Sequence, residues 1–138
     1  MASFNKFNSF VEALAEKVHN LGSDQLKVAL CAAANAPVAT NSQLSNLTQI
    51  SYTNLSSRDI TTASSAQSSG IYKLTLTDLV LSASGGSVAA FRYVVIYNDT
   101  ATNDELIGWY DYGSDLTLAS GESLTIDFDA TNGVLTLA

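Results

Sequence analysis

The order of apolar and polar positions changes character along the chain. In SFNKFNSFVEALAEKVHNLG, Phe4, Phe7, Val11, Leu14, Val18 and Leu21 recur at intervals of three and four residues. That spacing predicts one apolar stripe on an amphipathic helix. Ser3 or Asn5 would cap its start, and Gly22 its end. LKVALCAAA, from Leu26, then predicts a first strand, stopped by a turn at 35–37. LTQISY at 47–52 predicts a short strand. Residues 53–70, TNLSSRDITTASSAQSSG, are small and polar apart from Leu55 and Ile60. They read as a long loop, either a mobile surface segment or a contact arm.

From Ile71 the period is two. IYKLTLTDLVLSAS alternates and breaks at Gly85-Gly86, a hairpin signal. VAAFRYVVIY is apolar on both faces except at Arg92, which predicts a central strand covered on each side. Strict alternation there places Phe91, Tyr93, Val95 and Tyr97 on one face, and Arg92, Val94 and Ile96 on the other. ELIGWYDYG predicts the next strand, and DLTLASGE a short strand and turn. SLTIDFD predicts another, with Leu124, Ile126 and Phe128 inward, and VLTLA a last strand after the turn at Asn132-Gly133. About eight strands with short turns predict a mainly β fold, an antiparallel β-sandwich or jelly roll, with one N-terminal helix. Residues 1–22 then form a helical arm, and 23–138 a single β-sandwich domain carrying the long Ser/Thr-rich loop at 53–70.

Charge narrows the function classes. The chain of 138 residues has a net charge of −7, and its six basic residues are scattered. This argues against nucleic acid as a partner, which requires clustered Lys and Arg. No apolar run reaches the roughly 18 residues of a membrane span, and the polar residues interrupting 4–21 argue against a signal peptide. The expectation is synthesis in a cytoplasm without export, so the N-x-S/T matches at Asn46, Asn54 and Asn98 are read as accidents of composition.

Candidate chemistry is sparse. Cys31 is the one cysteine, in an apolar run where it reads as a small buried hydrophobe. His19 is the one histidine; it falls near the end of the predicted helix, where a cation meets the helix dipole favourably. Eight acids follow Arg92 without an intervening base. Asp127 and Asp129 could form a glycosidase pair, but acids in turns and at sheet edges read more simply as guards against unwanted strand pairing. DFDATNG is an incomplete calcium loop, because Thr131 and Ala138 stand where ligands are required. The stretch 91–113, FRYVVIYNDTATNDELIGWYDYG, holds four of the six tyrosines and the one tryptophan. It reads chiefly as the middle of a sheet. The other reading is a sugar-stacking platform of Tyr93, Tyr97, Trp109, Tyr110 and Tyr112. No catalytic set, cofactor site or metal site is predicted.

Two blocks resemble a family of small structural proteins of tailed bacteriophages. One is FNKFNSFVEALAEKVHNLGSDQLKVAL followed by APVATN. The other is FRYVVIYNDTA, LIGWYDYG and GESLTIDFDATNGVLTLA. The resemblance implies a non-enzymatic virion component, most like a capsid decoration (cement) protein on the outside of the head. Its implied partners are the major capsid protein and further copies of itself, as a dimer or trimer. A tail or head–tail connector component is the alternative within the family, and a carbohydrate-binding domain for host attachment the alternative outside it. The expected anchor is Phe4, Phe7, Phe10, Val11 and Leu14, with the 53–70 loop second.

Overall fold

The structure is a computed structural model describing residues 2–138. It is mainly β, with ten strands in chain order: β1 Ser3–Lys6, β2 Leu26–Cys31, β3 Asp59–Ile60, β4 Thr62–Ser68, β5 Ile71–Leu76, β6 Leu79–Ser82, β7 Phe91–Asn98, β8 Leu106–Leu116, β9 Ser123–Ile126 and β10 Leu135–Leu137. Among the described residues there is one α-helix, α1, spanning Ser9–Ala15. All pairings are antiparallel and form three sheets, ordered β1-β8-β7-β2-β3, β10-β5-β4 and β6-β9.

The central strand is the one its sequence predicts. β7 lies between β8 and β2, and its residues from Tyr93 to Asn98 are all buried. Val94 and Ile96 face the main core, shared with Leu74 and Leu76 of β5, Leu81 of β6, and Ile126 and Phe128 around β9. Tyr93, Val95 and Tyr97 face a second cluster with Phe7, Ala29, Cys31 and Leu106, which Leu44 and Leu47 partly cover. Phe91 breaks the alternation and joins the main core, because the β7–β8 register shifts between Phe91 and Tyr93. The extra residues lie on β8, where the chain runs from Asp111 to Leu116 opposite Phe91 to Tyr93, so the regular pleat of the ladder is broken at this point.

Residues 2–22 differ from expectation. They are not a helical arm but a strand, a short helix and a turn built into the fold. Ser3–Lys6 pairs with the β8 residues Gly108 to Asp111, the Phe4 ring meets Tyr110 at 5.3 Å and the Phe7 ring meets Trp109 at 4.6 Å. Ser, Phe and Asn are poor helix formers, so cross-strand aromatic contacts on an open sheet edge outweigh the helical spacing of SFNKFNSF. The helix that remains ends well before Gly22. Lys17 takes the left-handed conformation (φ 69°), the Val18 amide bonds the Ala13 carbonyl at 2.9 Å, and the Lys17 amide bonds the Leu14 carbonyl at 3.4 Å. That pair of bonds is a Schellman close with lysine where glycine is usual.

Residues 53–70 are also more ordered than their composition implies. They contain β3 and β4, Leu55 bridges to Ala83, and the Arg58 guanidinium lies 3.8 Å from the Tyr52 ring centre while donating to the Val28 carbonyl at 2.7 Å. In turn, 47–52 holds no strand. The run from Ile71 divides into β5 and β6, which join different sheets. Gly85 and Gly86 form a turn without a β6–β7 hairpin, since β6 pairs with β9.

Gly108 is where β1 comes closest to β8. A Cβ there would meet the Asn5 carbonyl oxygen at 2.6 Å and collide with the Phe4 ring. Gly108→Val is therefore expected to cost about 1–3 kcal/mol through overpacking and to detach β1. Urea unfolding and faster hydrogen exchange of the β1 amides will measure this.

Candidate functional site: an apolar groove beside a buried polar cluster

Helix α1 and strand β10 stand on opposite sides of a groove. One part, of about 410 Å³, is lined by Lys6, Phe10, Val11, Leu14, Ala15 and all three residues of β10. The adjoining part, of about 530 Å³, reaches past Leu14, Ala15 and Leu137 to Lys17, His19, Leu21, Ser65 and Tyr72. Phe10 is buried and fixes the helix to the core, which leaves Val11 (52% exposed) turned outward; Leu137 across the groove is 56% exposed. These are two of the most exposed large apolar side chains. Among the described residues no acidic one lines either part, although the chain has thirteen acids against six bases.

The five residues expected to form an anchor are therefore split. Val11 and Leu14 line the groove. Phe7 (0% exposed) and Phe10 (4%) are core residues, and Phe4 lies half-buried over Tyr110. In this fold Phe7 lies wholly inside, and Phe10 reaches the groove only with the small edge that burial leaves it. The helical reading put all five on one stripe, whereas a strand-to-helix break between Lys6 and Ser9 sends them in different directions. β10 escaped notice as a groove wall because nothing in VLTLA indicates which edge of its sheet stays open.

Beneath one end of the groove lies a polar cluster that the sequence did not reveal. Asn98 is fully buried at the end of β7. Its Oδ1 accepts from the Thr100 and Ala101 amides at 3.0 and 3.2 Å, which fixes Nδ2 as the amide end. Nδ2 donates to Asp24 Oδ2 at 2.7 Å and faces His19 Nδ1 at 3.0 Å. His19 Nδ1 must then be the acceptor, so the ring is neutral with its proton on Nε2. That Nε2–H has no partner among the described residues. Burial holds the His19 pKa below its ordinary value, against the opposing pull of Glu105 and Asp24. His19 is thus not a surface cation at a helix end: it lies four residues beyond Ala15, against the Phe10 ring at 5.3 Å. The only signal in the sequence was an asparagine closing a strand that is otherwise apolar except at Arg92.

The remaining candidates are engaged locally. Cys31 is buried, and its thiol is pushed up to about 11 by burial, which disfavours the nucleophilic thiolate. The five aromatics of 91–113 form no single platform. Tyr93, Tyr97 and Tyr110 are buried, and Trp109 and Tyr112 pack with opposite clusters. Arg92 pairs with Asp111 through two bonds of 2.8 and 3.1 Å. Asp127 accepts the Asp129 amide, and Asp129 accepts the Asn132 amide and side chain, so both carboxylates close their own turn. Among the described residues no group of three or more His, Cys, Asp or Glu is placed to hold a metal ion, and no helix is long and apolar enough to cross a membrane.

Comparisons with protein-family models, with curated proteins and with solved structures find no match to this chain.

Proposed function

We propose that this chain is a non-enzymatic structural component of a tailed-phage virion, a decoration protein that sits on the capsid exterior and bridges major capsid subunits. In this reading the five-stranded sheet and the two smaller sheets sharing its core are the layers of a β-sandwich, and copies associate as a dimer or trimer on the shell. The observation that carries the reading is the groove, with exposed Val11 and Leu137 on facing elements and no carboxylate between them. Exposed apolar side chains collected in a concave surface suit a protein contact. The two phage-like sequence blocks also come together in space. The first supplies β1, α1 and β2, the second β7, β8, β9 and β10, so four of the five strands of the large sheet come from these blocks. Many copies on a symmetric shell supply avidity, so each contact can be weak.

Co-sedimentation with empty phage heads tests this. The wild-type protein is expected to saturate at a simple ratio to capsid subunits and to raise the heat tolerance of the heads. The double variant Val11→Asp with Leu137→Glu should bind about tenfold or more weakly, because each exposed anchor contributes about 1 kcal/mol or more when buried. Both side chains are more than half exposed, so the variant should keep its fold. No binding, or only a few copies per particle, would move the protein to the tail or connector.

A further inference from the structure

The α1–β10 groove shows what a partner must bring to it, an inference that rests on reading the groove as a partner contact. β10 is the outermost strand of its sheet. It pairs with β5 on one side, and among the described residues Leu135, Thr136 and Leu137 make no other backbone hydrogen bond. Successive side chains of a strand point to opposite faces, yet all three residues line the same part of the groove. The groove therefore follows the outer edge of the strand rather than one face of the sheet. Natural sheets guard such edges with a charged side chain, a proline or a covering element. Leu-Thr-Leu has neither charge nor proline, and the groove leaves the edge open.

Charge adds a second constraint. Lys6 lines one part of the groove and Lys17 the other, while the acids of this acidic chain line neither. We propose that the groove binds an extended, apolar segment of the capsid partner that adds as a strand to β10. Alternate apolar side chains of that segment pack on Val11, Leu14 and Leu137, and an acidic residue near each end meets Lys6 and Lys17. Backbone pairing supplies affinity and the side-chain pockets supply specificity. A second copy of β10 fits less well, because Leu135, Thr136 and Leu137 carry no carboxylate side chain to face either lysine.

The probes are three capped synthetic peptides: Asp-Val-Thr-Val-Thr-Val-Asp, the same peptide with lysine at both ends, and the first peptide methylated on alternate backbone amides. Each is titrated to millimolar concentration into the full-length protein and followed by amide NMR. The acidic peptide should shift the Leu135, Thr136 and Leu137 amides and bind about fivefold more tightly than the lysine-ended one, as expected for two rim ion pairs. Backbone methylation should weaken binding about tenfold or more through lost strand hydrogen bonds. Lys6→Glu with Lys17→Glu should reverse the preference between the acidic and basic peptides. Equal binding of all three peptides, or no shift at β10, overturns the proposal. So does a homodimer in sedimentation equilibrium that Leu137→Glu dissociates, since the groove is then occupied by a second copy. If heads bind wild-type protein and lose the Val11/Leu137 variant while no peptide binds, this inference fails and the decoration reading stands. If the peptides bind with the stated preferences but heads do not, the strand-binding site stands and the decoration reading fails.

Discussion

Deletion of residues 3–21 is expected to leave an unfolded chain. The segment contributes an edge strand to the large sheet and three large apolar side chains to the interior: Phe7, Phe10 and Leu21 are each at most 5% exposed. Truncating one such phenylalanine to alanine costs about 3–5 kcal/mol, and a buried leucine about 2–5 kcal/mol. Together these losses reach roughly 8–15 kcal/mol, which matches or exceeds the whole stability of a typical domain. The deletion also exposes Trp109, Tyr110 and the outer edge of β8. Circular dichroism without a cooperative thermal transition, and collapsed amide dispersion in NMR spectra, are the expected results. A truncated protein that melts cooperatively near the wild-type temperature would show that the packing of Phe7 and Phe10 contributes little. The same expectation makes the truncation uninformative about head binding, whereas substitutions at Val11 and Leu137 test binding in a folded protein.

Asn98→Ala is expected to be among the most damaging single substitutions, and to change how stability responds to acid. Asn98 serves four partners at once: His19, Asp24 and the amides of Thr100 and Ala101. A buried polar group left without its partner costs about 1–3 kcal/mol. Because water admitted by the smaller side chain can replace some of these bonds, a total loss of about 3–5 kcal/mol is expected. In the wild type the pKa of His19 lies below its ordinary value of 6.5, so the unfolded chain takes up the proton more readily than the folded one. Stability is therefore complete above about 6.5 and falls as the pH drops below that value towards the lowered pKa of the folded state. Protonation would also place an N–H on Nδ1, directly facing the Asn98 amide. Asp111 and Asp129 add a separate loss at lower pH, below their ordinary 3.8. Arg92 holds the first carboxylate low and Asn132 the second. In Asn98→Ala the His19 ring loses the donor that opposes its protonation, so its pKa should rise towards 6.5 and the stability slope just below that pH should flatten. Urea midpoints between pH 4 and 8, with imidazole shifts followed by NMR, will check both points. An unchanged slope would mean that the Asn98 bond has no part in keeping His19 neutral.

The sequence by itself determined the class of fold and the position of its centre. A run apolar on both faces can only be stable where both faces are covered, and β7 lies in the middle of the large sheet. β2, β9 and β10 also fall where alternation or apolar runs place them, whereas β8 starts as expected but continues to Leu116 and takes in the start of the separate short strand expected from DLTLASGE. The turns at Gly121 and Gly133 have the positive φ that glycine allows, and Cys31 is buried as its surroundings imply. Periodicity describes one segment at a time, however. It shows which residues share a face but not which edge will receive that face. Only the tertiary structure decided that Ser3–Lys6 is a strand, because the open edge of β8 and the rings of Trp109 and Tyr110 lie about a hundred residues away. It likewise drew the polar stretch Thr62–Ser68 into a sheet with β5, paired β6 with β9 across the chain, and turned Phe91 into the main core through a bulge. The groove and the His19–Asn98–Asp24 cluster belong to this second kind of fact. Each is made by residues distant in sequence, whose significance comes from hydrogen bonds and exposed surface that no local pattern encodes.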